Sequence, residues 1–226
     1  MIKNIFSKPQ KQSGAIVIIG SDIQLLSQNF FFLNQDKKEV LHTYHVIPDS
    51  EIEHMQIHSQ HEEITVIYLN LIRPEHLKRL TQYITQAGHS IELTIFQPRF
   101  FRLRNIETLS AQDVESNWEF TGLSAVNVSQ AIIRLMLKQN RGTLIFLGGE
   151  YQNSFYYDAL SQSMFASIRA LSQSLAREFQ PKGIHIAYCM IEQWDSQNYS
   201  FISAVKDLCQ HIYHQPATAW TQELSL

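Results

Sequence analysis

Short uninterrupted apolar runs alternate with amphipathic stretches of helical period along almost the whole chain, and this alternation constrains the fold more than any other feature. "AIVIIG" (15–20), "EVLHTYHVI" (39–47), "ITVIYLN" (64–70), "IELTIF" (91–96), "GTLIFLG" (142–148) and "GIHIAYCMI" (183–191) have the length and composition of buried strands. Between them lie helical patterns. "SDIQLLSQNFFFLNQ" (21–35) spaces Ile23, Leu26, Phe30 and Leu33 on one face behind a Ser21 or Asp22 cap. "PEHLKRLTQYITQAG" (74–88) has Pro in its first turn and Gly at its end. A long helix is expected over 110–139, opened by a Ser110 cap, with others over 158–179 and 203–215. "DSEIEHMQIHSQ" (49–60) suggests a short polar helix, and "QELSL" (222–226) a last short strand.

Strands alternating with helices imply right-handed βαβ units. The expected fold is therefore α/β: a Rossmann-like, doubly wound parallel sheet of about seven strands with helices on both faces. No linker, repeat or low-complexity stretch divides it. Residues 1–13 are polar and suggest a flexible arm, leaving 14–226 as a single domain. That length is enough for a sizeable core.

Charge and composition narrow the function. The net charge is −3 and the basic residues are scattered, which excludes a nucleic-acid face. No run approaches the roughly 20 unbroken apolar residues of a membrane helix, and the first apolar run is too short for a secretory signal. A cytoplasmic protein is the expectation. Cys189 and Cys209 lack metal spacing and suggest buried small apolar residues. Glycine is scarce: there are 8, about half the usual 7%. A nucleotide-binding loop alone normally uses several.

Three further patterns have competing explanations. His54, His58 and His61 follow helical spacing and could share a metal with neighbouring glutamates. A solvated polar helix explains them better, so no metal is expected. Gly148 and Gly149 could form an anion nest, or simply let a strand end turn. The three phenylalanines at 30–32 fit a core better than a partner-facing patch.

The order and wording of the segments resemble the short-chain dehydrogenase/reductase family from about residue 15 to 226. "NIETLSAQDVESNWEF" (105–120) is similar to the run before that family's catalytic asparagine. "RGTLIFLGG" (141–149) is similar to the strand that carries its serine. "IRALSQSLAREFQPKGIHI" (168–186) resembles the helix, turn and strand after its lysine, and "HQPATAWTQELSL" (214–226) the ending of a bacterial subgroup. The resemblance implies binding of NAD(P)(H) and hydride exchange with a carbonyl or alcohol. Such chemistry needs a glycine-rich turn against the pyrophosphate, a phenol as proton donor, and a lysine one turn later that lowers the phenol pKa.

This sequence departs from that pattern at every one of those positions. In the G-x-x-x-G-x-G turn, "GSDIQLL" keeps Gly20 but has Gln24 and Leu26 in place of the later glycines. Asp22, beside Ser21, adds a carboxylate that would repel a phosphate. The asparagine motif after the fourth strand becomes "FQPR" (96–99), and the aspartate near the adenine becomes Asn70. The catalytic asparagine corresponds to Thr121, the serine to Gly149, the tyrosine to Ser161 and the lysine to Phe165. Tyr157 is the nearest substitute phenol, but it lies one turn before Ser161, about 6 Å along the axis. The loop "EQWDSQNYS" (192–200) is short for a substrate lid.

Taken together, the resemblance and its departures suggest a catalytically inactive relative, with no cofactor and no catalytic residue. It would act as a homo-oligomer, or paired with an active homologue, through helices 110–139 and 158–179. In the family these helices build a four-helix dimer interface, and Trp118, Phe165 and Ile168 lie on them. The alternatives are an NAD(P)(H)-dependent oxidoreductase using Tyr157 with Ser161, and a small-molecule sensor that keeps the vestigial cleft.

Overall fold

The computed structural model describes residues 13–20, 41–61, 63–99, 106–149, 159–191, 195 and 198–226. These residues form one eight-stranded sheet with helices against both faces. Its strands are β1 (Ser13–Ile19), β2 (His42–Pro48), β3 (Gln56–Gln60), β4 (Ile64–Leu69), β5 (His89–Phe96), β6 (Gly142–Gly149), β7 (Ile184–Ile191) and β8 (Glu223–Ser225). The helices are α1 (Pro74–Gln86), α2 (Ala111–Trp118), α3 (Ser124–Gln139), α4 (Ala159–Phe179) and α5 (Tyr199–Tyr213). The strand order is β3-β4-β2-β1-β5-β6-β7-β8, and every neighbouring pair is parallel except β3 with β4. The chain therefore leaves β1 in one direction through β2 and β4, and in the other through β5, β6 and β7. Ligand crevices in open α/β sheets form where the order reverses in this way, outside the carboxyl ends of the strands.

The apolar runs form strands because both of their faces are covered. Ala15, Ile16, Val17, Ile18 and Ile19 are all fully buried. One core packs α1, α3 and α4 on the face of Val17, Phe96 and Tyr188. The other packs α5 on the face of Ile16, Ile95 and Cys189. Cys189 and Cys209 are free and buried in this second core, and burial pushes the Cys189 thiol up to about 12. The turn from α4 into β7 depends on Gly183. It sits at φ +79°, and an added Cβ would lie 2.7 Å from the Asn140 carbonyl oxygen. At the far edge, Arg169 forks onto Glu223 with Gln173 beside it, which fastens β8 to α4. The Arg169 bonds hold the Glu223 carboxyl below its ordinary range.

Three expectations need correction. The polar helix expected over 49–60 is absent. Those residues instead form a loop and the antiparallel edge strand β3, which raises the strand count from about seven to eight. The pairing of Ile57 with Ile67 and Gln60 with Thr65 outweighs local helical spacing, and a bulge interrupts β3 between Ile57 and Ser59. The helix expected over 110–139 is broken by a π turn at Glu119–Leu123. The run Ala111–Gln139 is also long and apolar enough to cross a membrane by length and composition, but 56% of its apolar window is buried inside the protein. The last strand, by contrast, forms as expected. β1 begins at Ser13; the remainder of the 1–13 arm, the helix expected over 21–35 with its phenylalanines, and most of the 192–200 loop lie outside the described residues.

Candidate functional site

The switch point between β1 and β5 is held by backbone pairing. The Gln97 N–H donates to the Ile19 carbonyl at 2.8 Å, and the Gly20 N–H to the Val46 carbonyl at 3.0 Å. The Gly20 carbonyl accepts from His45 Nε2 at 3.4 Å. Both polar groups of Gly20 are thus engaged within the protein. His45 is buried, and burial lowers its pKa although the Gly20 bond opposes the shift. Ser21, Asp22, Gln24 and Leu26 lie outside the described residues, as does Tyr157.

Asn70 is where the resemblance places it, at the end of β4, but its carboxamide faces the chain. Nδ2 donates to the Ser50 carbonyl at 2.9 Å, and Oδ1 accepts from the Ile72 N–H at 2.9 Å, as in an Asx turn. Its backbone N–H donates to Nδ1 of His76 at 3.1 Å, and Nε2 of His76 donates to the Glu53 carbonyl at 2.9 Å. These partners fix the Nε2-protonated tautomer. His76 therefore ties the loop before β3 to the first turn of α1. His76→Leu leaves the buried Asn70 N–H without its acceptor. It is expected to lower unfolding stability by about 2 kcal/mol, measured by urea titration, with faster hydrogen exchange at the Asn70 amide.

Thr121, Ser161 and Phe165 do converge. They line one cavity together with Arg99, Asn117, Leu160 and Met164, and its volume is about 10 Å³. That is room for about one water. A neighbouring cavity bounded by Asn70, Arg99, Phe120 and Ser124 measures about 20 Å³. Neither could take a nicotinamide ring, since ligand pockets run to hundreds of Å³. Phe165 is 5% exposed and Thr121 4%. Among the described lining residues there is no phenol and no ammonium; the one cation is the Arg99 guanidinium, placed 5.6 Å over the Phe120 ring.

Thr121 sits in the π turn, a geometry that often marks functional sites. Its hydroxyl donates back to the Asn117 carbonyl at 2.6 Å, and the Ser124 hydroxyl to the Glu119 carbonyl at 3.1 Å. Hydroxyls that return to their own helix in this way loosen its ladder. Gly122 is required at this turn because the Trp118 ring lies where its Cβ would be, at 2.6 Å.

Gly149 ends β6, paired with Ile191, and Gly148 pairs with Met190. Neither makes an anion nest or a turn, since the strand continues through both. Gly148 serves packing instead: a Cβ there would fall 1.8 Å from the Tyr188 hydroxyl. The histidines expected on one helix face are also apart. His58 lies in β3, with His54 before the strand and His61 after it. Among the described residues no three His, Cys, Asp or Glu side chains form a metal-holding group.

Sequence reasoning overlooked Gln97, Arg99, Asn117 and His76. "FQPR" marked the place of the first two, but nothing local signals what they face. Gln97 is 2% exposed, and neither Oε1 nor Nε2 makes a hydrogen bond to any described residue.

No known family profile matches the sequence, and no curated protein matches it. Solved structures do match, over nearly the whole chain. A short-chain dehydrogenase from Rhodopseudomonas palustris is 20% identical with a TM-score of 0.71, covering 94% of this chain and 97% of that one. A metagenomic short-chain oxidoreductase in complex with NADP is 10% identical with a TM-score of 0.73, covering 96% and 98%. A serine dehydrogenase from Escherichia coli is 12% identical with a TM-score of 0.72, covering 93% and 96%.

Proposed function

We propose that this chain, which has the short-chain dehydrogenase/reductase fold, is a non-catalytic cytoplasmic protein that acts by association. It forms a homo-oligomer or pairs with an active homologue through α2, α3 and α4. The closure of Thr121, Ser161 and Phe165 around a space of about 10 Å³ carries this reading. It removes the proton donor and the room that hydride transfer to a carbonyl needs. Exposed apolar side chains on α2 support the second half: Val114 is 39% exposed and Trp118 44%. Large exposed apolar groups on helices already committed to a core suit an interface.

Two measurements test it. Light scattering on the purified chain is expected to give a dimer or larger, and Trp118→Glu to shift it toward monomer. Titration with NADH and NADPH is expected to leave nicotinamide fluorescence unchanged. A monomer that captures no related reductase would sink the association reading. Saturable micromolar binding with turnover would move the protein to the NAD(P)(H)-dependent oxidoreductase reading.

Gln97 favours a second reading, a small-molecule sensor. A buried carboxamide that lacks a partner on both atoms is disfavoured by several kcal/mol. Beside the switch point it suits a ligand with an adjacent donor and acceptor. Native mass spectrometry of the protein as purified would show such a ligand, and Gln97→Leu would lose it.

A further inference from the structure

On the outer side of the first core, α1 and α3 run side by side and leave a groove of about 660 Å³ between them. It lies on helix surfaces, away from Thr121, Ser161 and Gln97. Its volume is within the range of small-molecule sites, and far above the 10 and 20 Å³ of the cavities at the sheet edge.

Its charge is opposite to that of the protein. The chain carries a formal −3, yet the groove is lined by Lys78 from α1 and by Arg134 and Lys138 from α3, against the one carboxylate of Glu75. None of these three cations makes an ion pair or a hydrogen bond with a described residue. Cations grouped across two helices without counter-charges raise the local concentration of anions.

The placement follows from helix register. Asn127 Nδ2 donates to the carbonyls of Leu71 and Ile72, so the start of α1 is level with Asn127 on α3. At about 1.5 Å per residue, Lys78 lies roughly 6 Å into α1, Arg134 about 10 Å beyond Asn127 and Lys138 about 16 Å beyond it. The cations are thus staggered along the groove rather than gathered at one point, and Gln82 and Gln130 stand between them as neutral hydrogen-bonding groups. Ala131 and Leu135, both half-buried, supply an apolar floor.

We propose that this groove binds a small organic molecule carrying two or more anionic groups, phosphate or carboxylate, spaced to meet successive cations. An Arg fork and two ammoniums fit either group. The site is independent of the vestigial cleft, so its occupancy does not rest on how the residues around Thr121 are interpreted.

The test is calorimetric titration of the full chain with tripolyphosphate and with citrate at low ionic strength. Saturable binding of either supports the proposal, and their ratio tells phosphate from carboxylate. Arg134→Gln with Lys138→Gln is expected to weaken binding about tenfold or more, the scale of losing one good charge-assisted contact. Arg79→Gln removes the same charge from α1 but outside the groove, and is expected to leave binding within about twofold. Lys138 also lies in the last turn of α3, where a cation suits the helix dipole. Unfolding stability is therefore measured on each variant. The proposal fails if neither anion saturates, or if Arg79→Gln weakens binding as much as Lys78→Gln.

Discussion

Replacing Gly148 with alanine is expected to lower unfolding stability by about 3 kcal/mol, the upper range for adding a methyl to a full core. Gly148 lies in the middle of the sheet, paired with Met190 on β7. Tyr188, 2% exposed, crosses the same face and sets its hydroxyl where the new Cβ must go, 1.8 Å away, with the ring carbon that bears the hydroxyl at 2.2 Å. Either the ring leaves its place in the first core or the two strands separate. Urea unfolding would measure the loss. A double-mutant cycle identifies its origin: in a Tyr188→Leu background the same alanine is expected to be nearly neutral, because the obstruction is gone. An equal loss in both backgrounds would show that the backbone, and not the phenol, demands glycine.

The second large effect concerns the position where the family carries its lysine. Phe165→Lys is expected to destabilise the protein by about 4 kcal/mol at neutral pH, from lost aromatic packing and from burial of an ammonium. The side chain is 5% exposed, and the cavity it lines also contains the Arg99 guanidinium. Burial and that like charge both depress the lysine pKa below its ordinary value of about 10.4. Between the depressed and the ordinary pKa the unfolded chain binds the extra proton, so stability rises with pH there. The deficit of the variant is therefore largest near neutrality and shrinks as pH approaches about 10. Adding Ser161→Tyr brings a phenol into a space of about 10 Å³, and no carbonyl reduction with NADPH is expected from the double variant. A stable double variant that reduces carbonyls would overturn the view that this cleft has been closed by packing.

The parts of this fold legible in the sequence were those set by local pattern. β1 through "AIVIIG" and α1 from its proline to Gly88 needed only short-range information. β3 did not, because His54, His58 and His61 imitate a helix while the strand exists only through its pairing with β4. The positions Thr121, Ser161 and Phe165 could be located from neighbouring phrases, but that they close on a common void with Arg99 and Asn117 is a product of tertiary packing. Asn70 was placed correctly and its partners were not. The carbonyls and N–H groups it joins come from Ser50 and Ile72, and His76 enters from the next helix. Gly148 was noticed for its freedom of backbone, whereas its role is to leave space.

The bulge in β3 has a consequence for how copies of the protein could meet. An outermost strand with evenly spaced donors and acceptors invites another sheet to continue it, the first step toward fibres. Here that spacing is interrupted between Ile57 and Ser59, and at the opposite margin β8 offers three residues, Glu223–Ser225. Neither rim is a good template for lateral growth. Contacts between copies are thereby directed to the helical faces, where they close into discrete assemblies instead of extending without limit.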